Sequence, residues 1–296
     1  MSFEIRDIEN IDPDRCEIVT GTDFKCNILI SPYNRRITIN NFKLLRDKNA
    51  GNMIHELIEK ASANGLDKIW TKSDARWKQA LLNAGMKLEA SIQGYFEGNG
   101  TAFILALYLS RRRQVPSNIR SLELVDKLLS SSTHGMEKRK LPPGVSLKWG
   151  QAQHCPALAR LYRRVFTTYP FPVFDSCYIK SILDNGSAYY LTAWYQEELI
   201  AACSAEVNYT QRNAEMTDFA TMPEWTGQGL AGILLSQMES RLNKEGFRCL
   251  YTIARSSSMG MNSVFAKAGY RYDGVLINNC NIGEDFEDMN VWSKVI

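Results

Sequence analysis

Asp218-Phe-Ala-Thr-Met-Pro-Glu-Trp-Thr-Gly-Gln-Gly-Leu-Ala-Gly-Ile-Leu-Leu235 decides how this chain folds. It reads as the end of a strand, a tight turn holding Gly227 and Gly229, and the start of a helix. Leu230, Ile233, Leu234, Met238 and Leu242 recur at the i, i+3, i+4, i+8 spacing of a core-facing stripe. Glycines at a helix entrance let backbone N–H groups converge, and the helix dipole adds positive charge there. That arrangement suits a phosphate or pyrophosphate.

Working outward, residues 145–296 alternate as an α/β domain does. Strands are expected at 145–149, 188–194, 199–207, 213–221, 249–254 and 289–295, and helices at 156–165, 175–183, 230–243 and 261–267. The first 110 residues are expected to form strands at 26–30, 36–40, 68–71 and 103–109, with helices at 52–64 and 74–83. Gly65 stops the first of these helices, and Asp74 is placed to cap the second. Between the halves, residues 111–144 read as a connector. It has basic runs at both ends, which suit a solvated face, and one helix over 119–129.

The two halves echo each other. Gly65-Leu-Asp-Lys-Ile-Trp70 resembles Gly246-Phe-Arg-Cys-Leu-Tyr251, and Leu81-Leu-Asn-Ala-Gly-Met86 resembles Phe265-Ala-Lys-Ala-Gly-Tyr270. At an offset of 181 residues, Arg36–Asn40 falls on Thr217–Thr221, and Arg46 and Lys48 fall on Gly227 and Gly229. Side chains there obstruct close backbone approach, so the first half is expected to be a scaffold and not a second site.

Composition narrows the partners. With 35 basic and 32 acidic residues among 296, the net charge of +3 is too small to argue for nucleic acid. No apolar run approaches the ~20 residues of a membrane span, and the N-terminus lacks the pattern of a signal peptide. Seven scattered cysteines without a Cys-x-x-Cys pair read as reduced thiols in a cytoplasmic protein. His55, His134 and His154 show no metal-ligand spacing, so no metal is expected. The sequence leaves the oligomeric state open.

Strand, Pro-x-aromatic, Gly-x-Gly-x-Ala-Gly, Leu-Leu, then a strand and a helix ending Ala-Gly-Tyr resembles the acetyl-CoA-dependent N-acetyltransferases of the GNAT superfamily over residues 145–296. Phe171-Pro-Val-Phe-Asp175, Met216-Thr-Asp-Phe-Ala-Thr221, Gly260-Met-Asn262, and Asn278-Asn279 followed by Met289-Asn-Val-Trp292 are similar to the β-lysine N-acetyltransferases within it. The resemblance implies a mixed, mostly antiparallel sheet flanked by helices at 145–296, with a degenerate GNAT-like domain at 1–110. It also implies acetyl-CoA as cosubstrate. Pantetheine would pair with backbone at Phe219, Ala220 and Thr221. The pyrophosphate would rest on N–H groups of Gly227, Gln228, Gly229, Leu230 and Ala231, and Asn262 would belong to the same site. Thr226 stands where the family carries Arg or Gln.

The acceptor amine must lose a proton, since a lysine-type amine has a pKa near ~10.4. Glu215 and Asp218 lie on the strand entering the turn, and either can accept it. Strand alternation sends the two to opposite faces, so one of them faces the cleft. The resemblance favours Glu215. Phe265 stands where many relatives place a tyrosine that protonates the leaving thiolate. Tyr270 or Tyr272 replaces it, or the thiolate leaves unaided. Tyr169, Phe171, Phe174 and Asp175 are expected to line the acceptor, with capping of the next helix as the other role open to Asp175. Asn278 and Asn279 are expected to hydrogen-bond the acceptor or to shape turns. The implied reaction acetylates the side-chain amine of β-lysine to Nε-acetyl-β-lysine, a compatible solute. The partner is then a small-molecule amine, with neither nucleic acid nor membrane involved. Acetylation of a peptide or protein lysine, and a non-catalytic CoA-binding module, stay open beside it.

Overall fold

A computed structural model describes residues 12–119, 125, 127–129, 140–283 and 285–296. His134, most of the connector helix and most of its second basic run fall outside these residues. The chain forms two compact units, and neither is one contiguous stretch. The first comprises Met1–Ser91, Ala102–Ser117 and Leu276–Glu287. The second comprises Ile92–Thr101, Asn118–Val275 and Asp288–Ile296.

In the first unit, β1 (Arg15–Thr20), β2 (Phe24–Ser31) and β3 (Arg36–Leu44) run antiparallel in sequence. Helix α1 (Asn49–Ala63) then returns the chain to β4 (Lys68–Ser73), parallel to β3, and α2 (Ala75–Asn83) follows. β6 (Gly100–Tyr108) pairs antiparallel with β4. Asp74 caps α2 by accepting from the Trp77 N–H, and Gly65, at φ 65°, follows the end of α1. Met53, Ile54, Leu57 and Ala61 of α1 are buried against Ile28, Ile30, Ile37 and Ile39 of the sheet. Each such aliphatic side chain contributes roughly 1.5–3 kcal/mol. β5 (Lys87–Phe96) and a four-residue helix α3 (Arg111–Gln114) complete the N-terminal elements.

The second unit begins with β7 (Val145–Trp149), α4 (Cys155–Val165) and α5 (Ser176–Asp184). β8 (Ala188–Tyr195), β9 (Glu198–Asn208) and β10 (Asn213–Thr221) then form an antiparallel meander. Helix α6 (Leu230–Lys244) leads to β11 (Cys249–Arg255), which lies parallel to β10, and α7 (Met259–Lys267) follows. β12 (Arg271–Ile282) and β13 (Asp285–Val295) end the chain, with β13 antiparallel to β11. One face of this mixed, mostly antiparallel sheet packs on α6 and α7 through Leu230, Leu234, Leu235, Met238, Phe265 and Trp292. Leu235 is buried on α6, whereas Ile233, expected in the stripe, is only partly so. The other face packs on α4 and α5 through Leu158, Leu161, Tyr162, Ile179 and Tyr190. Among the described residues, no helix is long and apolar enough to cross a membrane.

The echo between the halves has a structural counterpart. α1 and α6 are both 15-residue helices between parallel strands. Arg36 pairs with Lys68 as Asn213 pairs with Cys249, so Arg36 corresponds to Asn213 and not to Thr217 as the constant offset implied. Both preceding strands carry a register shift, between Asn27 and Ile28 across from β3 and between Thr217 and Ala220 on β10. The helix entrances differ. Lys48 precedes α1 at φ −59°, while Gly229 precedes α6 in the left-handed region at φ 81°.

Candidate active site

β10 and β11 are paired in register only at Asn213–Cys249, Ala214–Leu250 and Glu215–Tyr251. Beyond that point β10 continues to Thr221 and β11 to Arg255, so the two strands part above Glu215. The parted edge of β10 leads through a 3₁₀ turn at Pro223–Trp225 to Gly227 at φ 78° and Gly229 at φ 81°. The first turn of α6 holds no acidic residue, and its N-terminus has no side-chain cap. A Cβ at Gly227 would meet open space, so that glycine serves the left-handed turn and not a tight contact. Uncapped N–H groups at a helix N-terminus suit an anion. The Thr226 hydroxyl donates to the Pro223 carbonyl at 2.7 Å and ties this turn together.

The register shift in β10 overturns the expected alternation. Asp218 sits at φ 52°, a conformation Asp tolerates better than most side chains. The extra residue turns Thr217 and Asp218 to the same face. Ser204, paired with Thr217 across the ladder, donates to Asp218 Oδ2 at 2.6 Å, and the Tyr169 hydroxyl donates to Oδ1 at 2.5 Å. Glu215, two residues before Thr217, lies on that face as well, opposite Glu206. Both carboxylates therefore face the α4–α5 side, and the expectation that only one does was wrong. Phe219 points the other way and meets Phe265 edge-on at 5.6 Å.

Burial pushes the Asp218 carboxyl above its usual range, against the opposing effect of the Ser204, Tyr169 and Thr217 hydroxyls. Burial and the Asp218 charge push the Tyr169 and Tyr162 hydroxyls well up. The Tyr251 hydroxyl hydrogen-bonds Glu215; burial first, and then that carboxylate, raise it well above the usual tyrosine range.

The remaining expected site residues separate. Tyr169 and Phe174 pack against the α4–α5 core, while Phe171 is exposed. Asp175 caps α5, accepting from the Cys177 N–H at 2.8 Å. Asn262 is fully buried, and its amide is committed to protein. It donates to the carbonyls of Arg255 and Ser258 and accepts from Asn290 and Trp292, all at 2.8–2.9 Å. That uses the full capacity of a primary amide, so the Asn262 side chain is a brace between α7 and β13 and not a cosubstrate ligand. Tyr270 lies in the core against Phe265, its hydroxyl in the field of Glu239. It does not join Glu215 or Asp218. Asn278 and Asn279 belong to the first unit. There Asn278 donates to the carbonyls of Arg113 and Val115, and the Asn279 carbonyl accepts from Arg36. A groove of about 780 Å³ between α4 and the β8–β9 turn, lined by Arg160, Arg164, Trp194 and Glu197, includes neither Glu215 nor Asp218.

Sequence reading missed Ser204, Glu206, Tyr162 and Tyr251. The alternation Ala202-x-Ser204-x-Glu206 was a signal that these share a face, but which strand they oppose is set by long-range register.

A parted parallel strand pair, a glycine-lined helix entrance and carboxylates on the α4–α5 face supply what a group-transfer enzyme with a phosphate-bearing cosubstrate needs: a free backbone edge, an anion site and a proton acceptor. Residues 155–270 match the acetyltransferase (GNAT) family. The chain is 33% identical over 269 residues to the beta-lysine N(6)-acetyltransferase of Methanococcus maripaludis, covering 90% of this chain and 95% of that protein. It is 31% identical over 263 residues to the N-acetyltransferase YodP of Bacillus subtilis, covering 88% and 93%. The solved RimL ribosomal L7/L12 alpha-N-protein acetyltransferase in complex with coenzyme A aligns at 16% identity and TM-score 0.46, over 53% of this chain and 97% of that one. The chain belongs to the GNAT acetyltransferase family and is an acetyl-CoA-dependent N-acetyltransferase acting on an amine.

Proposed function

We propose that this protein acetylates the side-chain amine of β-lysine, giving Nε-acetyl-β-lysine, a compatible solute. The observation that carries the reading is the bulge at Asp218, which sets Glu215 and Asp218 on one face beside the parted strands. Similarity to the Methanococcus maripaludis enzyme over nearly the whole chain supports β-lysine as acceptor. All seven cysteines are free thiols, which supports a cytoplasmic protein.

Acetyl-CoA supplies an activated acetyl thioester. The N–H groups of Gly227, Gln228, Gly229, Leu230 and Ala231 hold its pyrophosphate, and the free backbone edge at Phe219–Thr221 holds the pantetheine. A backbone N–H beside the bulge polarises the thioester carbonyl. Glu215 takes the proton from the acceptor ammonium, directly or through water. Asp218 acts through others: it fixes the bulge to Ser204 and the acceptor loop to Tyr169. The thiolate leaves without a tyrosine acid, as Phe265 and the buried Tyr270 suggest; a thiol with a pKa near ~8.5 is a tolerable leaving group.

The test is CoA release across a panel of β-lysine, α-lysine, polyamines and lysine-containing peptides. Preferred turnover of β-lysine supports the reading. Preference for peptides replaces it with protein acetylation, and tight acetyl-CoA binding without turnover of any amine replaces it with a CoA-binding module.

A further inference from the structure

Glu206 lies directly opposite Glu215 in the β9–β10 ladder. Side chains so placed have Cβ atoms about 4.5–5.5 Å apart, and like charges there repel. The bulge adds Asp218 to the same face, so three carboxylates share one side of the sheet. Aromatic side chains surround them. Tyr169 hydrogen-bonds Asp218, Tyr251 is in register with Glu215, and Tyr95 packs on Tyr251 at 5.4 Å. Tyr169, Tyr178 and Tyr190 lie in the field of both Asp218 and Glu206.

A second observation points to a ligand on this side. Tyr162 is fully buried on α4, beside Asp218 and Tyr169, and its hydroxyl has no hydrogen-bond partner among the described residues. An unpaired buried hydroxyl costs about 1–3 kcal/mol, which a bound polar group would recover.

Opposed carboxylates walled by aromatic rings match a cation, and the acceptor amine itself must be neutral to react. One carboxylate is needed to take its proton, which leaves the other for a charge that persists. We infer that Glu206 is a specificity-determining residue that holds a second ammonium centre of the acceptor, so that the enzyme selects molecules with two amines over those with one. This rests on the acetyl-transfer reading and deepens it. Glu206 and Glu215, which takes the proton of the reacting amine, face each other across the ladder with Cβ atoms about 4.5–5.5 Å apart. That reach suits two amines joined by a short methylene spacer.

The test compares wild type with Glu206→Gln on three acceptors: β-lysine, a linear diamine, and 6-aminohexanoate, which offers the same kind of primary amine without a second one. Glu206 is exposed on its strand, so the variant is expected to fold, and an unchanged circular dichroism melt checks this. The expected result is a KM raised about tenfold or more for the two diamino acceptors, with KM for 6-aminohexanoate and for acetyl-CoA within about twofold of wild type, and partial recovery in Glu206→Asp. Equal losses on all three acceptors, or no loss on any, overturn the inference. The two readings fail separately. A diamine-selective loss without β-lysine turnover removes β-lysine and keeps Glu206. Turnover of β-lysine with an unselective loss does the reverse.

Discussion

Tyr169→Phe removes one hydroxyl and leaves the ring in place. In the folded protein that hydroxyl donates to Asp218 at 2.5 Å, while Ser204 donates to the other carboxylate oxygen at 2.6 Å. The size of the loss depends on the charge of Asp218. In the unfolded chain its carboxyl titrates near ~3.9. Below that pH both states carry a neutral acid, and the missing bond costs about 0.5–1.5 kcal/mol. In the folded protein burial holds the carboxyl above its usual range. As pH rises, the unfolded state therefore releases its proton first, and the folded state loses stability until its own carboxyl ionises. Without Tyr169 the folded carboxyl is raised further, so that loss is larger. Once Asp218 is ionised the missing bond is one to a charged group, worth about 1.5–3 kcal/mol. The deficit of the variant should grow with pH by about 1 kcal/mol. Urea denaturation at several values between about pH 4 and about pH 8 measures it. A deficit that is flat with pH, or below about 0.5 kcal/mol throughout, refutes the coupling. Because the same bond positions the acceptor loop, kcat/KM for the amine should fall while KM for acetyl-CoA holds.

Glu215→Gln should lower kcat about 100-fold or more, the range of general-base catalysis, with calorimetric acetyl-CoA affinity unchanged; an unaltered rate removes the base assignment. Its activity should recover as pH approaches the amine pKa near ~10.4. Gly229→Val forces a β-branched side chain into φ 81° at about 1–2 kcal/mol, and steady-state kinetics should show KM for acetyl-CoA rising about tenfold. Asn262→Ala removes the acceptor of two buried donors, the Trp292 indole N–H and the Asn290 amide, so urea denaturation should show a loss of about 1–3 kcal/mol, with catalysis affected only through stability.

The helix after the glycine turn, the strand before it and the strand–helix echo were legible because each depends on local periodicity and on glycine chemistry. β1, β5 and β12 were not predicted. Arg15–Thr20 and Lys87–Phe96 carry polar residues that blur the alternation, and Arg271–Ile282 is interrupted by Gly274 and the asparagines that follow. Within the site, Glu215 and Asp218 were found from their position on β10, but their common face was not. A bulge is created by pairing with β9, and the residue that marks it, Asp218 at φ 52°, has no sequence signature a glycine would have offered. The asparagines at 262 and 278 misled for the opposite reason. Amide-rich segments look like ligand sites, yet buried amides also satisfy backbone groups where strands and helices meet, as the bonds to Arg255, Arg113 and Val115 do here.

The most direct measurement is the product formed from β-lysine and acetyl-CoA by the purified protein, identified by mass and by NMR of the acetylated position. A single acetyl group on the side-chain amine, formed with one CoA released per product, is the expected result. Acetylation elsewhere on the molecule, or no product while acetyl-CoA binds, contradicts it.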